Sequence, residues 1–173
     1  MTRSNARELA VHLVFQQGFQ DKTAGELMEE ALKRPVFEAL GSEEPLYAQF
    51  PNVDQRAYIE TLVKGVEERQ EELDGYISRY AIGWNFNRLP RLVVAILRVC
   101  MYEILYMADV PNAAAINEAV ELTKRYEEPE LSAFVNGILG SFVRSEPVPR
   151  PTAAVEGLFD PEPAPVAGPE GEE

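Results

Sequence analysis

Side-chain catalysis needs a nucleophile or a base held in place by a second polar group, and few residues of this 173-residue chain fit that description. There is one histidine and one cysteine. His12 falls within a helical pattern, where a solitary imidazole packs or faces solvent unless a partner orients it as a base. Cys100 lies in the apolar run AILRVCMYEIL, where a cysteine behaves as a small hydrophobe, and a single thiol makes no internal disulfide. Neither Cys-x-x-Cys nor His-Glu-x-x-His spacing occurs, so no zinc site is expected, and no glycine-rich phosphate loop precedes a helix. The carboxylate pairs Glu29–Glu30, Glu67–Glu68 and Glu127–Glu128 are neighbours on polar faces, which reads as solvation; acid and base roles would need a pocket. No enzymatic activity, cofactor or metal is expected.

The formal charge of −13 opposes binding to phosphate unless a local basic face exists. Its distribution is uneven. From Ser145 onward there are seven acids (Glu146, Glu156, Asp160, Glu162, Glu170, Glu172, Glu173) against Arg150, so this stretch carries −6 and the rest −7. It also holds seven prolines and few large apolar residues, too little to offset the entropy of ordering. Residues 145–173 are therefore expected to be a disordered acidic tail, and 1–144 one folded domain. Val155 to Phe159, its lone apolar cluster, is a candidate docking motif, though a plain solvated tail is the simpler reading.

The elements that must position any site read as helices throughout. Ser4 or Asn5 can cap a first helix over about 5–18, with Leu9, Leu13, Val14 and Phe15 at helical spacing and Gly18 as its stop. Thr23 precedes a second, with Leu27, Met28, Ala31 and Leu32 on one face, interrupted or ended by Pro35. Residues 41–52, with Pro45 and Pro51, read as a loop. Asp54 can cap a third helix striped by Tyr58, Ile59, Leu62, Val63 and Val66; a fourth carries Leu73, Ile77 and Tyr80 before Gly83. Pro90 suits the first turn of a fifth, LVVAILRVCMYEILYM, apolar nearly all round and so expected at the centre of a bundle. Asn112 can cap a sixth with Ile116, Ala119, Val120 and Thr123 inward, and Pro129 opens a seventh with Leu131, Phe134, Val135, Ile138, Leu139 and Phe142. About seven helices make an all-α fold. No run approaches a membrane span and the N-terminus lacks a signal-peptide order, so a cytoplasmic protein is expected.

The last three helices carry a resemblance. Arg91-Leu92, Ala95 to Arg98, Tyr102-Glu103, Asp109 to Pro111, Ala115 to Leu122 with Lys124, and Phe134 to Gly137 occur in unbroken order and look like the NusB family. The opening ARELAVHLVFQ, residues 6–16, resembles the family's first helix, which begins in an arginine-rich motif with an aromatic residue beyond it. The resemblance implies a compact two-lobed helical bundle and no catalysis. It implies an antitermination factor that binds single-stranded boxA-like RNA together with NusE, a small-subunit ribosomal protein, within the RNA polymerase antitermination complex, to promote read-through of ribosomal RNA genes. It places Arg3, Arg7, Phe15, Arg98, Phe134 and Asn136 at positions matching RNA-proximal motifs.

Such a role requires cations for phosphates and planar groups on which unstacked bases lie. The family's opening arginine cluster is reduced here to Arg3-Ser4-Asn5-Ala6-Arg7, so weak RNA affinity without the partner is expected. Cations at a helix start oppose its dipole, which favours a functional reading of Arg3 and Arg7. Arg98 has an alternative as an internal partner of Glu103 or of a helix end. Phe15 and Phe134 have one as core aromatics, and Asn117 and Asn136 one as buried hydrogen-bonding groups. The competing function is a NusB-fold protein-interaction or homodimer module with little RNA affinity of its own.

Overall fold

The computed structural model describes residues 1–149 as eight α-helices and two 3-10 turns. The expected tail falls mainly on residues 150–173, which lie outside the described residues.

α1 (Arg3–Gln17) starts two residues before expectation because Thr2, not Ser4 or Asn5, accepts the Asn5 amide at 3.1 Å. α2 (Ala24–Ala31) opens in a capping box between Thr23 and Glu26. Pro35 does not merely end this helix. It stands in the first turn of a separate one, α3 (Arg34–Leu40), where a missing amide hydrogen costs nothing. That raises the count from seven to eight. The following loop contains a 3-10 turn at Pro45–Tyr47. α4 (Val53–Glu68) is capped by Asn52 in a box with Gln55, two residues ahead of the expected Asp54.

α5 (Gln70–Tyr80) follows after Arg69 alone. A turn through Gly83, at φ 82°, and a 3-10 turn at Phe86–Arg88 lead into α6 (Arg91–Tyr106). α7 (Asn112–Tyr126) and α8 (Pro129–Ser145) complete the fold, with Asn112 as the first helical residue after Pro111.

Ten of the sixteen residues of α6 are buried, and it touches α1, α4, α5, α7 and α8. An all-round apolar helix has only this stable position, covered on every side. α1, α2 and α4 pack together on one side of it, and α5, α7 and α8 gather on the other, with α7 against α8 and α5 against α8, so α6 is shared by two lobes. Cys100 sits inside at 2% exposure and burial pushes its thiol pKa well up, consistent with an apolar filler. No helix among the described residues is long and apolar enough to cross a membrane.

Candidate nucleic-acid interface

The N-terminal arginines part company. Arg7 is 3% exposed and Glu103 0%. Its Nε and Nη2 donate to Glu103 Oε1 and Oε2 at 2.6 and 3.0 Å, and Glu118 lies 3.4 Å from Nη1. Tyr58 donates its hydroxyl to the same Glu103 carboxylate at 2.9 Å. Burial works against the charge on Arg7, but Glu103, Tyr58 and Glu118 outweigh it and hold the guanidinium protonated; burial and Glu103 together push the Tyr58 hydroxyl well up. This is a bidentate clasp joining α1, α4 and α6. The reading of Arg7 as an exposed phosphate ligand is corrected: the dipole argument assumed a solvated helix start, whereas this side chain points inward.

Arg3, one turn earlier, is half-buried beside Tyr58. It lies twelve residues before Phe15 on the same helix, about 18 Å along the axis. Glu8 also faces inward, accepting from Arg125 and from the Tyr126 hydroxyl of α7, with His12 Nε2 4.0 Å away. His12 packs edge-on against Tyr126, and burial lowers its pKa, as expected of a packed imidazole.

Phe15 and Arg98 meet in one groove of about 480 Å³. The last turn of α1 supplies Phe15, Gln17 and Gly18, the start of α5 supplies Gln70, the connection supplies Phe86 and Asn87, and α6 supplies Arg91 and Arg98. Phe15 is half-buried with its ring edge-on to Phe19 at 4.9 Å. Phe19 is 57% exposed, and the Arg91 guanidinium lies over it at 4.5 Å. An arginine on an aromatic face beside an open groove is the pairing from which base stacking and phosphate contact are built.

Arg98 has an internal partner, and it is Asp74 of α5, not Glu103. Its Nε and Nη2 bond the two carboxylate oxygens at 2.7 and 2.8 Å. Glu103 is already occupied by Arg7, and a bidentate fork fits only one carboxylate at a time. Phe134 of α8 is half-buried and packs against Trp84, centroids 4.9 Å apart. Trp84 is half exposed and leads directly to Phe86 and Asn87, so the segment 84–88 connects the Phe134 ring to the groove. Asn136 is exposed on α8, as is Asn117 on α7, so neither is the buried hydrogen-bonding group offered as an alternative.

The sequence did not single out Phe19, Trp84 or Arg88, and Arg91 entered only within the Arg91-Leu92 motif, not as a site residue. A signal for them exists. Residues 75–102 contain Arg79, Arg88, Arg91 and Arg98 and no acid, in a chain whose charge is −13. Arg79 is paired with Glu146 and Arg98 with Asp74, so the exposed cations of this stretch are Arg88 and Arg91.

The profile of the NusB family matches residues 4–144. Among curated relatives, a transcription antitermination protein NusB from Acetivibrio thermocellus is 37% identical over 144 residues, covering 83% of this chain and 90% of the relative. One from Clostridium novyi is 34% identical over 145 residues, covering 84% of this chain and all of the relative. Among solved structures, NusB of T. maritima superposes with a TM-score of 0.70 at 27% identity, covering 84% of this chain and 92% of that one. A chain from a crystal structure of antitermination factors NusB and NusE in complex with dsRNA has a TM-score of 0.67 at 23% identity, covering 83% and 97%.

Proposed function

The chain belongs to the NusB family of transcription antitermination proteins, and on that premise we propose that it binds single-stranded boxA-like RNA through the groove between α1, α5 and α6, together with NusE, as a cytoplasmic, non-enzymatic adaptor of the RNA polymerase antitermination complex. The observation that carries this reading is the groove itself: Phe15, Arg91 and Arg98 line it, Phe19 lies under Arg91, and both arginines come from the longest acid-free stretch of an acidic chain. Phe15 and Phe19 offer rings to bases. Arg91 offers a phosphate contact, and Arg98, held in place by Asp74, presents the remaining part of its fork at the groove.

Phe134, reached through Trp84, extends the aromatic surface, and Asn136 offers an exposed amide whose donor and acceptor suit a base edge. Arg3 adds a separate cation to RNA that continues along α1. Arg7 acts indirectly, fixing the helix that carries Phe15. With so few cations the RNA affinity of the chain alone is low, and NusE supplies the remainder by adding contacts to the same RNA.

The test is a titration of labelled boxA-like RNA with the protein alone and with NusE, at two salt concentrations. Arg91→Ala is expected to weaken binding and to flatten the log–log salt slope by about 0.7, the value for one phosphate on a single strand. Phe15→Ala is expected to cost about 1–3 kcal/mol with the slope unchanged, as loss of one stacked base should. Absence of RNA binding even with NusE present would leave the protein-interaction module as the function.

A further inference from the structure

Ile82 is 87% exposed and Trp84 50% exposed, on the tight turn that Gly83 makes after α5, with Phe134 packed against the Trp84 ring. Large apolar groups presented together on a turn are a surface that gains by being covered. The turn itself carries no acid. Arg88 is exposed four residues after Trp84, and no acid occurs between Asp74 and Glu103, while Glu130 stands one turn before Phe134 on α8. An occupant should therefore combine apolar side chains with carboxylates.

The chain carries such a segment itself. Val155-Glu156-Gly157-Leu158-Phe159-Asp160 holds the only aromatic residue from Arg150 onward, flanked by acids and followed by Glu162. The described chain also ends in the right place. Glu146, just past α8, accepts from Arg79 and from the Tyr80 hydroxyl at the end of α5, and Val148 packs against the core. Trp84 is four residues beyond Tyr80, so the two Cα atoms lie within about 14 Å, while the nine Cα–Cα steps from Pro149 to Leu158 reach up to about 30 Å. The tether is thus long enough and short enough. A link of this length holds the segment at an effective concentration on the order of millimolar, so a contact too weak to detect between separate molecules is occupied within one.

We propose that the segment 155–160 docks on the Ile82, Trp84 and Phe134 face of its own chain, where it competes with RNA for Phe134 and the neighbouring arginines. The competition rests on the RNA reading above; the docking does not.

Trp84 is the only tryptophan, so its fluorescence reports the face directly. The experiment compares acrylamide quenching of the full-length protein with that of full-length Leu158→Ser/Phe159→Ser. Because the ring is half exposed when the face is bare, docking is expected to lower the quenching constant of the parent roughly twofold, with emission shifted to the blue, relative to the variant. A second full-length variant, Glu156→Gln/Asp160→Asn/Glu162→Gln, is expected to fall between the two and to lose its remaining dependence on salt. Equal quenching in the parent and the apolar variant overturns the proposal. So does protection that grows with protein concentration, since the segment would then be covering a second copy. In parallel, boxA-like RNA with NusE is expected to bind the apolar variant several-fold more tightly at low salt. Failure of RNA to bind either protein would remove the RNA reading while leaving the quenching result to decide the docking.

Discussion

At the scale of single residues, the Arg7–Glu103–Tyr58 cluster dominates. A buried pair is stable only while complete, because removal of one partner leaves an unpaired charge out of water. Among the described residues no buried side-chain polar atom lacks a hydrogen-bond partner, so nothing nearby is waiting to replace Arg7. Arg7→Ala is therefore expected to destabilise the fold by about 3–5 kcal/mol in urea denaturation, and Arg7→Leu/Glu103→Gln, which keeps an acceptor for Tyr58, to recover much of the loss. Equal stability of the single and double variants would show that the clasp is not a coupled unit. Loss of RNA binding in Arg7→Ala alone would then report the fold, whereas Arg91→Ala reports the groove. The types of the site residues were legible in the sequence; their directions were not. Arg7 and Arg91 are both arginines near helix starts, and only the packing of α1 on α6 decides that one turns inward and the other lies over Phe19.

At the scale of elements, α4 and α6 approach each other where Gly65 faces Tyr102. A Cβ added at Gly65 would overlap the outer end of the Tyr102 ring. Gly65→Ala is expected to expel that ring and cost about 1–3 kcal/mol. In a Tyr102→Ala background the same change is expected to become neutral or to stabilise by up to about 1 kcal/mol, since alanine favours the helix over glycine. A cost of the same size in both backgrounds, measured by urea denaturation, would place the close approach elsewhere. Helix positions were largely readable from apolar spacing, and α6 was readable as the centre because its sequence has no polar face. The ends were less so. Ser4, Asn5 and Asp54 are good capping types, but Thr2 and Asn52 take the role because the chain enters each helix from that side. Pro35 reads equally as a stop or as a first-turn residue, and only the placement of Phe37 in the core selects a new helix.

At the scale of the whole molecule, a charge of −13 repels itself, and several ion pairs are exposed and of small worth, such as Arg79 of α5 with Glu146 just past α8 and Lys64 with Glu60 within α4. Raising salt from low to moderate concentration is expected to raise the thermal midpoint by calorimetry while weakening RNA binding, because screening relieves self-repulsion and counterion release opposes the complex. A midpoint that fell with salt would mean that specific pairs outweigh the net charge. The chain's bulk charge thus hid these cations: Arg91 and Arg98 form no motif with Phe15, and only the packing of α1 on α6 brings the three to one groove. The inward-facing pairs of α1 have one more consequence, set by the direction of synthesis. Glu8 is made 118 residues before Tyr126 and Arg7 96 before Glu103. At about 5–20 residues per second the ribosome leaves roughly 6–24 s between Glu8 and its partner, so the two inward-facing charges of α1 stay uncompensated after α2 and α4 are made and until α6 and α7 follow.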